Sequence, residues 1–327
     1  MKTKNQASIT IDVPMTREDP ETLRNVVRGG LLATPKTLPS KLFYDERGST
    51  LFEQICELPE YYQTRTEHQL LTTWADEIIA ISGADELVEL GSGAATKTRV
   101  LLDAMARADQ LHYYVPFDVD ETIVRRVSEE LVQEYPGLQI HGVVGDFLVH
   151  LQHIPEGGKR LVVFLGGTIG NLPPTAARNF LTSVYAEMTT HDYFLLGIQL
   201  ITHIPRLEAA YNDSQGITAK FNKNILRVLR KTFSAQCNPD LFSHVARYNP
   251  TDHRIEMWLR SSQDQVFEIP GLDLILELND GEEIRTELST KYDQALVEDL
   301  LTTCGFETIK CYTDPDQLIG LVLAQKP

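Results

Sequence analysis

The middle of the chain alternates between short apolar runs and longer amphipathic segments. In most of the longer segments, apolar residues recur every three or four positions, which is typical of a helix with one buried face. Short buried strands separated by such helices indicate a parallel sheet with crossover helices. The pattern predicts strands at 86–90, 112–119, 138–147, 160–167 and 192–200.

The pattern changes after residue 200, where two helices are predicted at 204–213 and 217–233 and several alternating strands follow. A helix, the pair "GF" and two strands joined by a short turn then end the chain, which predicts an antiparallel hairpin closing the sheet. The fold class is therefore α/β, a Rossmann-like sheet with an inserted α+β domain. We predict a cofactor-binding domain at 65–200 and 291–327, and a substrate-binding domain at 15–64 and 201–290.

The first part of the chain is more polar. Residues 1–20 are expected to form a frayed polar arm. Amphipathic helices are predicted at 21–32, at 49–58 with Ser49 or Thr50 as the N-cap, and at 66–82.

The net charge indicates which binding partners are disfavoured, and the cysteines indicate the redox state of the compartment. The chain has 30 basic and 46 acidic residues, so its formal net charge is -16. This charge disfavours nucleic acid and anionic membranes as partners, because both are bound through Lys and Arg. Four scattered cysteines without a CxxC pair indicate reduced thiols. No segment has the length of a signal peptide core or of a membrane span, so we expect a soluble cytoplasmic protein. We also expect it to be a monomer.

The loop "ELGSGAAT" indicates a nucleotide-bearing cofactor. Gly91 ends the first strand, and Asp118 ends the second, where a carboxylate can accept hydrogen bonds from ribose hydroxyls. Asp146 ends the third strand and can meet an adenine amino group while Phe147 covers the ring. A dinucleotide loop needs a third glycine where Thr96 stands, and the GK[ST] of a phosphate loop is absent. With the final hairpin, this favours an S-adenosylmethionine-dependent methyltransferase over an NAD-dependent oxidoreductase.

Longer stretches carry a more specific resemblance. The segments "FYDERGSTLFEQICELPEYYQTRTE", "LVELGSGAATKTR", "VVFLGGTIGN", "RIEMWLR" and "EIRTELSTKY" resemble the histidine-specific Nα-methyltransferases of ergothioneine biosynthesis. The resemblance runs from about residue 20 to the end of the chain. It implies three successive methyl transfers from S-adenosylmethionine to the α-amino group of free L-histidine, which give hercynine.

Glu287 and Ser289 are two residues apart on a predicted strand, so their side chains project from one face. A carboxylate can accept a ring N–H and a hydroxyl can donate to the other ring nitrogen, which suits a neutral imidazole. The resemblance implies this use. Without it, an edge strand with two solvated polar side chains is the plainer interpretation.

Asn171 follows the fourth predicted strand, where its amide can bind the amine and the carboxylate of an amino acid. A turn asparagine before Pro173 and Pro174 is the alternative. Leu172 separates it from the prolines, unlike the [ND]PP[YF] tetrad of nucleic-acid amino-methyltransferases, which argues against DNA or RNA as acceptor.

The resemblance implies further roles, for which core packing or solvation is the alternative. Tyr44 and Asn171 are expected to be catalytic. Tyr61 and Lys97 are expected to bind the cofactor, with Lys97 one turn into a helix, whereas Gly167 replaces an expected small hydroxyl residue. The residues expected to bind substrate, besides Asn171, Glu287 and Ser289, are Tyr44, Phe52, Gly166, Tyr211, Thr218 and Met257.

No metal site or nucleophile is expected. His150 and His153 lie three residues apart without an HExxH motif, and no G-x-S-x-G motif occurs. Three rival functions stay open at this point: methylation of tryptophan derivatives or another amino acid, NAD-dependent oxidoreduction, and a regulator that binds a nucleotide without catalysis.

Overall fold

A computed structural model describes residues 7–14 and 20–327. The chain divides into two compact units. The first contains the amino-terminal strand, Arg65–Leu200 and Tyr292–Pro327, and the second contains the segment that ends at Thr64 and Ile201–Lys291. Residues 15–19, which begin the predicted substrate-binding domain, lie outside the described residues. The roles assigned to the two domains remain predictions.

The first unit is built around an eight-stranded sheet. Its strands are β1 (Ser8–Asp12), β3 (Glu86–Leu90), β4 (Tyr113–Asp118), β5 (Gln139–Val144), β6 (Arg160–Phe164), β7 (Tyr193–Gln199), β13 (Glu307–Thr313) and β14 (Ile319–Gln325). The order across the sheet is β1-β5-β4-β3-β6-β7-β14-β13. All neighbours are parallel up to β7, whereas β14 pairs antiparallel with both β7 and β13. The predicted α/β fold with a closing antiparallel hairpin is confirmed.

The polar arm predicted for residues 1–20 is wrong at Ser8–Asp12, which form the edge strand β1 beside β5. Five residues at a sheet edge, most of them exposed, give too short an alternation to be recognised in the sequence. The rest of that prediction falls partly on residues 1–6 and 15–19, which lie outside the described residues.

Helices accompany the strands of this sheet, namely α3 (Gln63–Ser82), α4 (Thr98–Arg107), α5 (Glu121–Glu134), α6 (Pro174–Glu187) and α9 (Gln294–Thr303). Asp120 caps α5 by accepting from the amides of Thr122 and Ile123. Between β5 and β6 the chain forms a single 3-10 turn, Leu151–His153. The central strands β3 and β6 are buried along their whole length, which explains their continuous apolar runs.

The second unit contains a four-stranded sheet and a two-stranded sheet. The first has the order β2-β12-β9-β8 and comprises β2 (Lys36–Thr37), β8 (Phe242–Asn249), β9 (Arg254–Ser261) and β12 (Glu283–Thr290). The second pairs β10 (Gln265–Ile269) with β11 (Leu274–Leu278). The helices of this unit are α1 (Pro20–Leu32), α2 (Glu46–Cys56), α7 (Ile204–Ala209) and α8 (Ile217–Phe233).

The predicted start of α2 is wrong. The helix begins at Glu46, and its N-cap is Asp45, whose carboxylate accepts from the Gly48 amide at 2.8 Å. Asp45 also accepts from the Asn224 side chain at 2.7 Å, which joins the cap to α8. The sequence does not reveal this second contact, because Asn224 is far from Asp45 in the chain. Ser49 and Thr50 are also favourable N-cap residues, so the sequence alone does not distinguish them from Asp45.

Candidate cofactor site and acceptor site

The loop after β3 turns sharply at two glycines. Gly91 and Gly93 have φ values of 76° and 47°, a left-handed backbone that glycine adopts without strain. The amides of Gly91 and Ser92 donate to the carbonyl of Phe117 at 2.8 and 3.1 Å, so the loop is held against the end of β4. The predicted glycine turn therefore lies at the carboxyl edge of the parallel sheet, where α/β folds bind ligands.

Asp118 ends β4 beside this loop. Its two carboxylate oxygens accept from the amides of Gly93 at 2.8 Å and Asp120 at 3.1 Å. Burial raises the pKa of Asp118, although these backbone bonds oppose the shift. A carboxylate has about four lone-pair sites, so two backbone bonds leave room for ribose hydroxyls.

Asp146 and Phe147 follow β5 at the same edge. Asp146 accepts from the Leu148 amide at 2.8 Å. The Phe147 ring packs edge-on against Phe164 and Phe180, with centroids 5.2 and 5.5 Å away. A Cβ placed on Gly91 would lie 3.8 Å from the Phe147 ring, so this aromatic side chain lies beside the glycine loop. The carboxylate acceptors Asp118 and Asp146, the Phe147 ring and the bare glycine backbone fit an adenosyl group.

Lys97 is the N-cap of α4, not a residue one turn into the helix as predicted, because the turn after the glycine loop continues to Thr98. Its ammonium forms an ion pair with Glu67, a buried side chain of α3. Glu67 also accepts the Gly166 amide at 2.8 and 3.0 Å through its two oxygens. The sequence analysis missed Glu67, and its only signal was a carboxylate among the apolar positions of α3.

Two glycines follow β6. Gly166 and Gly167 have φ values of 77° and 65°. A Cβ on Gly167 would lie 2.8 Å from the Gln199 side chain, so space and backbone both favour glycine where a hydroxyl residue was expected. Asn171 ends the 3-10 turn Thr168–Asn171. Its side chain is half-buried and makes no hydrogen bond to the residues that the structure describes.

Glu89 is a further buried carboxylate that the sequence analysis missed. It lies in β3 and accepts from the hydroxyls of Thr98 and of Tyr114, the latter at 2.6 Å. Burial raises its pKa to about 7, against the effect of these hydrogen bonds. Because Thr98 is the first residue of α4, Glu89 fixes the start of this helix. An acidic residue inside the apolar run "ELVEL" was the signal for it.

In the second unit, a β-bulge determines which way the acceptor residues face. The register of β12 against β9 shifts between Arg285 and Glu287, so Thr286 is an extra residue. Glu287 and Ser289 therefore lie opposite Met257 and Ile255. Strict alternation without the bulge would turn both side chains to the other face of the sheet.

The bulge is held by side chains of the unit. The Thr286 hydroxyl donates to Asn222 Oδ1 at 2.6 Å, and it lies 3.1 Å from the Met257 carbonyl. Asn222 in turn donates to the Trp258 carbonyl at 3.0 Å and contacts His244 Nδ1 at 2.8 Å. Both Thr286 and Asn222 are buried, so helix α8 and the sheet fix the bulge together.

Ser289 belongs to a buried triad of polar atoms. The Tyr211 hydroxyl donates to Ser289 Oγ at 2.9 Å, and Lys291 Nζ donates to both oxygens at 2.9 Å each. Lys291 is fully buried, and burial lowers its pKa to about 7. The sequence analysis missed Lys291, although its spacing of two from Ser289 continues the face that carries Glu287.

Glu287 is half-buried on the same strand. Burial raises its pKa to about 7, while the positive charge of Lys291 opposes this shift. The carboxyl group therefore changes charge near neutral pH.

The predicted aromatic residues of the second unit form one cluster. Ring centroids are 5.8 Å apart for Tyr44 and Phe52, 6.2 Å for Phe52 and Tyr61, and 6.5 Å for Tyr61 and Tyr211. Phe221 of α8, which the sequence analysis missed, contacts both Tyr44 and Phe52 at 5.8 and 6.0 Å. Because Tyr44 is 51% exposed, it is no ordinary core residue.

Thr218 and Met257 are buried. The Thr218 amide donates to Asp213 Oδ1 at 2.7 Å, and Asp213 also accepts from Ile217 at the start of α8. Met257 lies opposite Glu287. The predicted acceptor residues of this unit thus lie on α2, α8, β9 and β12 and in the segments just before α2 and α8.

Within residues 7–14 and 20–327, no helix is long and apolar enough to cross a membrane. Within the same residues, no group of three or more His, Cys, Asp or Glu side chains is arranged to hold a metal ion.

Comparison with known proteins decides the family. A sequence model of the family described as "histidine-specific methyltransferase, SAM-dependent" matches residues 23–326. The chain belongs to this family. It is an S-adenosylmethionine-dependent methyltransferase, which excludes the oxidoreductase and the non-catalytic regulator.

Members of this histidine-specific methyltransferase family in other organisms are closely similar to the chain. The histidine N-alpha-methyltransferase of Mycolicibacterium smegmatis is 48% identical over 93% of this chain and 95% of its own length. The enzyme of the same name from Mycobacterium tuberculosis is 45% identical over the same shares. Ergothioneine biosynthesis protein 1 of Neurospora crassa is 30% identical over 85% of this chain but only 32% of its own length.

Proposed function

We propose that this methyltransferase transfers three methyl groups to the α-amino group of free L-histidine and forms hercynine for ergothioneine biosynthesis. The observation that carries the proposal is the 48% identity to a histidine N-alpha-methyltransferase over nearly the whole chain. The buried face with Glu287 and Ser289 gives that likeness a chemical meaning, because it offers one acceptor and one donor to an imidazole ring.

The cofactor role falls to the carboxyl edge of the first unit's sheet. S-adenosylmethionine supplies a methyl group on a positively charged sulfur, so the leaving group is already activated. Asp118 would accept from the ribose hydroxyls, while Asp146 and Phe147 would bind and cover the adenine. Lys97, oriented by Glu67, is proposed to bind the methionine carboxylate. Tyr61 is proposed as a further cofactor contact.

The acceptor role falls mainly to the second unit. Glu287 would accept the imidazole N–H, and Ser289 would donate to the other ring nitrogen. Tyr211 is proposed to bind the substrate carboxylate, and Asn171 to bind its amine and carboxylate. Thr218 and Met257 would line the substrate pocket of this unit, and Gly166 is proposed as a further substrate contact.

The main contribution to catalysis is proposed to be orientation of a neutral amine. Alignment of reacting groups alone can lower a barrier by ~7–11 kcal/mol. A strong general base is unnecessary, because the ammonium proton can pass to water through Tyr44, which lies at the exposed end of the aromatic cluster. The faces of Tyr44 and Phe52 would stabilise the increasingly cationic amine, by ~0.5–2 kcal/mol for each ring.

We further propose that the enzyme acts in the cytoplasm as a monomer. The four cysteines are free thiols, as expected in a reducing compartment. The net charge of -16 disfavours a role on nucleic acid or anionic membranes. Light scattering of the purified chain measures its oligomeric state.

The proposal is tested by incubating the protein with S-adenosylmethionine and an equimolar mixture of the free amino acids plus tryptamine. Product masses are followed over time. We expect histidine alone to gain three methyl groups. Methylation of another amine instead would reject the acceptor assignment and leave the methyltransferase family unaffected.

A further inference from the structure

Lys291 contacts both hydroxyls that we assign to the substrate. Its Nζ lies 2.9 Å from Tyr211 Oη and 2.9 Å from Ser289 Oγ, and these two oxygens are themselves 2.9 Å apart. The three atoms form a closed triangle. Nζ also lies 4.6 Å from the centroid of the Tyr211 ring. None of the Lys291 side chain reaches solvent, so its neighbours are fixed by the fold.

The hydrogen-bonding capacity of these groups determines what they can offer a ligand. A lysine ammonium only donates, whereas a hydroxyl has one proton and two lone pairs. Ser289 Oγ accepts from Lys291 and from Tyr211, so both of its lone pairs are occupied. Its remaining capacity is to donate its own proton.

We infer that Lys291 is a positioning residue that makes Ser289 and Tyr211 hydrogen-bond donors toward the amino-acid substrate. Ser289 would donate to the unprotonated ring nitrogen and Tyr211 to the carboxylate. This inference rests on the proposed function. When histidine binds, the Tyr211 proton turns from Ser289 to the carboxylate and one lone pair of Ser289 is vacated. Lys291 continues to donate to both oxygens, so each hydroxyl still accepts from Lys291 and directs its own proton toward the substrate.

The charges around Lys291 agree with this role. Glu287 lies on the same strand, and the phenols of Tyr211 and, beyond it, Tyr61 also face this region. Burial lowers the pKa of Lys291, and the Glu287 charge raises it. Even an uncharged amine has two N–H bonds, enough for both hydroxyls. The donor geometry therefore persists on either side of neutral pH.

The test compares ligands that lack one recognised group. In the presence of S-adenosylhomocysteine, the full chain is titrated calorimetrically with L-histidine, L-histidinol and 3-(2-thienyl)-L-alanine. Histidinol lacks the carboxylate, and thienylalanine lacks both ring nitrogens. The histidine-to-histidinol affinity ratio reports the Tyr211 contact, and the histidine-to-thienylalanine ratio reports the ring contacts.

Lys291→Met removes the donors and is expected to lower both ratios by about three- to tenfold, the range for one hydrogen bond each. Tyr211→Phe should lower only the histidinol ratio, and Ser289→Ala only the thienylalanine ratio. Lys291→Gln keeps two N–H groups and should retain more of both ratios than Lys291→Met. Lys220→Met, at an exposed lysine of α8, is the matched control.

Equal weakening of all three ligands by Lys291→Met would mean a purely structural role and would overturn the inference. So would equal losses in Lys291→Gln and Lys291→Met. Lys291→Leu is made in parallel, and circular dichroism establishes which variants fold. If the wild type methylates histidine while Lys291→Met keeps both ratios, only the inference fails. If the wild type neither binds nor methylates histidine, the proposed function fails with it.

Discussion

The two candidate sites differ in which groups form them: mainly backbone groups in the cofactor site and side chains in the acceptor site. The cofactor site in the first unit depends largely on the backbone: glycine φ angles, the loop amides on Phe117, and Asp118 held by the Gly93 amide. The acceptor site in the second unit is made by side chains on a bulged strand, with Lys291 bonded to Tyr211 and Ser289. Backbone contacts tolerate changes of side chain except at the two glycines with positive φ, whereas each side chain of the acceptor site has a role that its neighbours lack.

We expect the largest effect of any single substitution in the acceptor site. Glu287→Ala should raise the KM for histidine at least about a hundredfold, because the hydrogen bond from the neutral ring N–H to a charged carboxylate is lost. The affinity for S-adenosylmethionine should stay within twofold. Steady-state kinetics and cofactor titration measure both.

Glu283→Gln is the matched control for this variant, since Glu283 lies on the same strand but pairs with Arg247 and Arg260. Its histidine KM should stay close to that of the wild type. An equal loss of cofactor affinity in Glu287→Ala would contradict the assignment of Glu287.

The second-largest effect is expected on the stability of the protein, through Glu89 in the first unit. The pKa of Glu89 is raised from 4.5 to about 7 in the folded protein, so the folded state favours the protonated acid. Its contribution to the free energy of unfolding is complete below pH 4.5 and is lost as the pH rises through 7. Glu89→Gln has no such loss and should become more stable relative to the wild type between pH 5 and 8, by on the order of 2 kcal/mol.

Urea unfolding of both proteins at pH 5 and pH 8 measures this difference. Glu77→Gln is the control, because Glu77 is a surface partner of Lys310 and the hydrogen bond from Lys310 lowers the pKa of Glu77. That variant should show no gain at pH 8. A Glu89→Gln difference that is independent of pH would show that Glu89 is already ionised in the folded protein.

A smaller effect is expected at the cofactor site. Asp118→Asn keeps one carbonyl oxygen for the Gly93 amide but removes the charged acceptor for ribose hydroxyls. The dissociation constant of S-adenosylhomocysteine should rise about tenfold, as measured by calorimetry without histidine. Asp76→Asn, at an exposed partner of Arg107, is the control. If Asp118→Asn weakened cofactor binding by a larger factor than Glu287→Ala raises the KM for histidine, the cofactor site would be the more sensitive of the two.

The smallest effect is expected in the aromatic cluster. Phe52→Leu should slow the third methylation about two- to fivefold, because one ring face contributes ~0.5–1 kcal/mol to binding a cationic amine. Mass spectrometry of mono-, di- and trimethylated histidine over time measures it. Phe267→Leu, in the separate two-stranded sheet, should leave the proportions unchanged. Unchanged proportions in Phe52→Leu would exclude a role for that ring in the later steps.

The fold of the first unit was predictable because buried parallel strands give unbroken apolar runs. Strand β3 was predicted at its observed limits. Strand β8 was missed because most of its residues are half-buried, which leaves no clear alternation. Edge strand β1 was missed for the related reason that it is short and exposed.

The candidate sites were less predictable. The pairing of Glu287 with Ser289 follows from a spacing of two, but the face that they occupy depends on a bulge that no local pattern indicates. Glu67 was missed because its partner Lys97 is 30 residues away in the chain, and Lys291 because Tyr211, which completes its buried triad with Ser289, is 80 residues away. From sequence alone, a single charged residue is expected to be exposed to solvent, because a partner that is distant in the chain cannot be recognised.

The bulge at Thr286 determines which of two sets of side chains on this strand faces the pocket. With the extra residue at Thr286, the strand presents Glu287 and Ser289 beside Met257. In a regular register, Leu288 and Thr290 would take that side, and the pocket would lose its carboxylate without any change of composition. Acceptor preference can therefore diverge within this family through Thr286 or Asn222, neither of which we assign to the substrate.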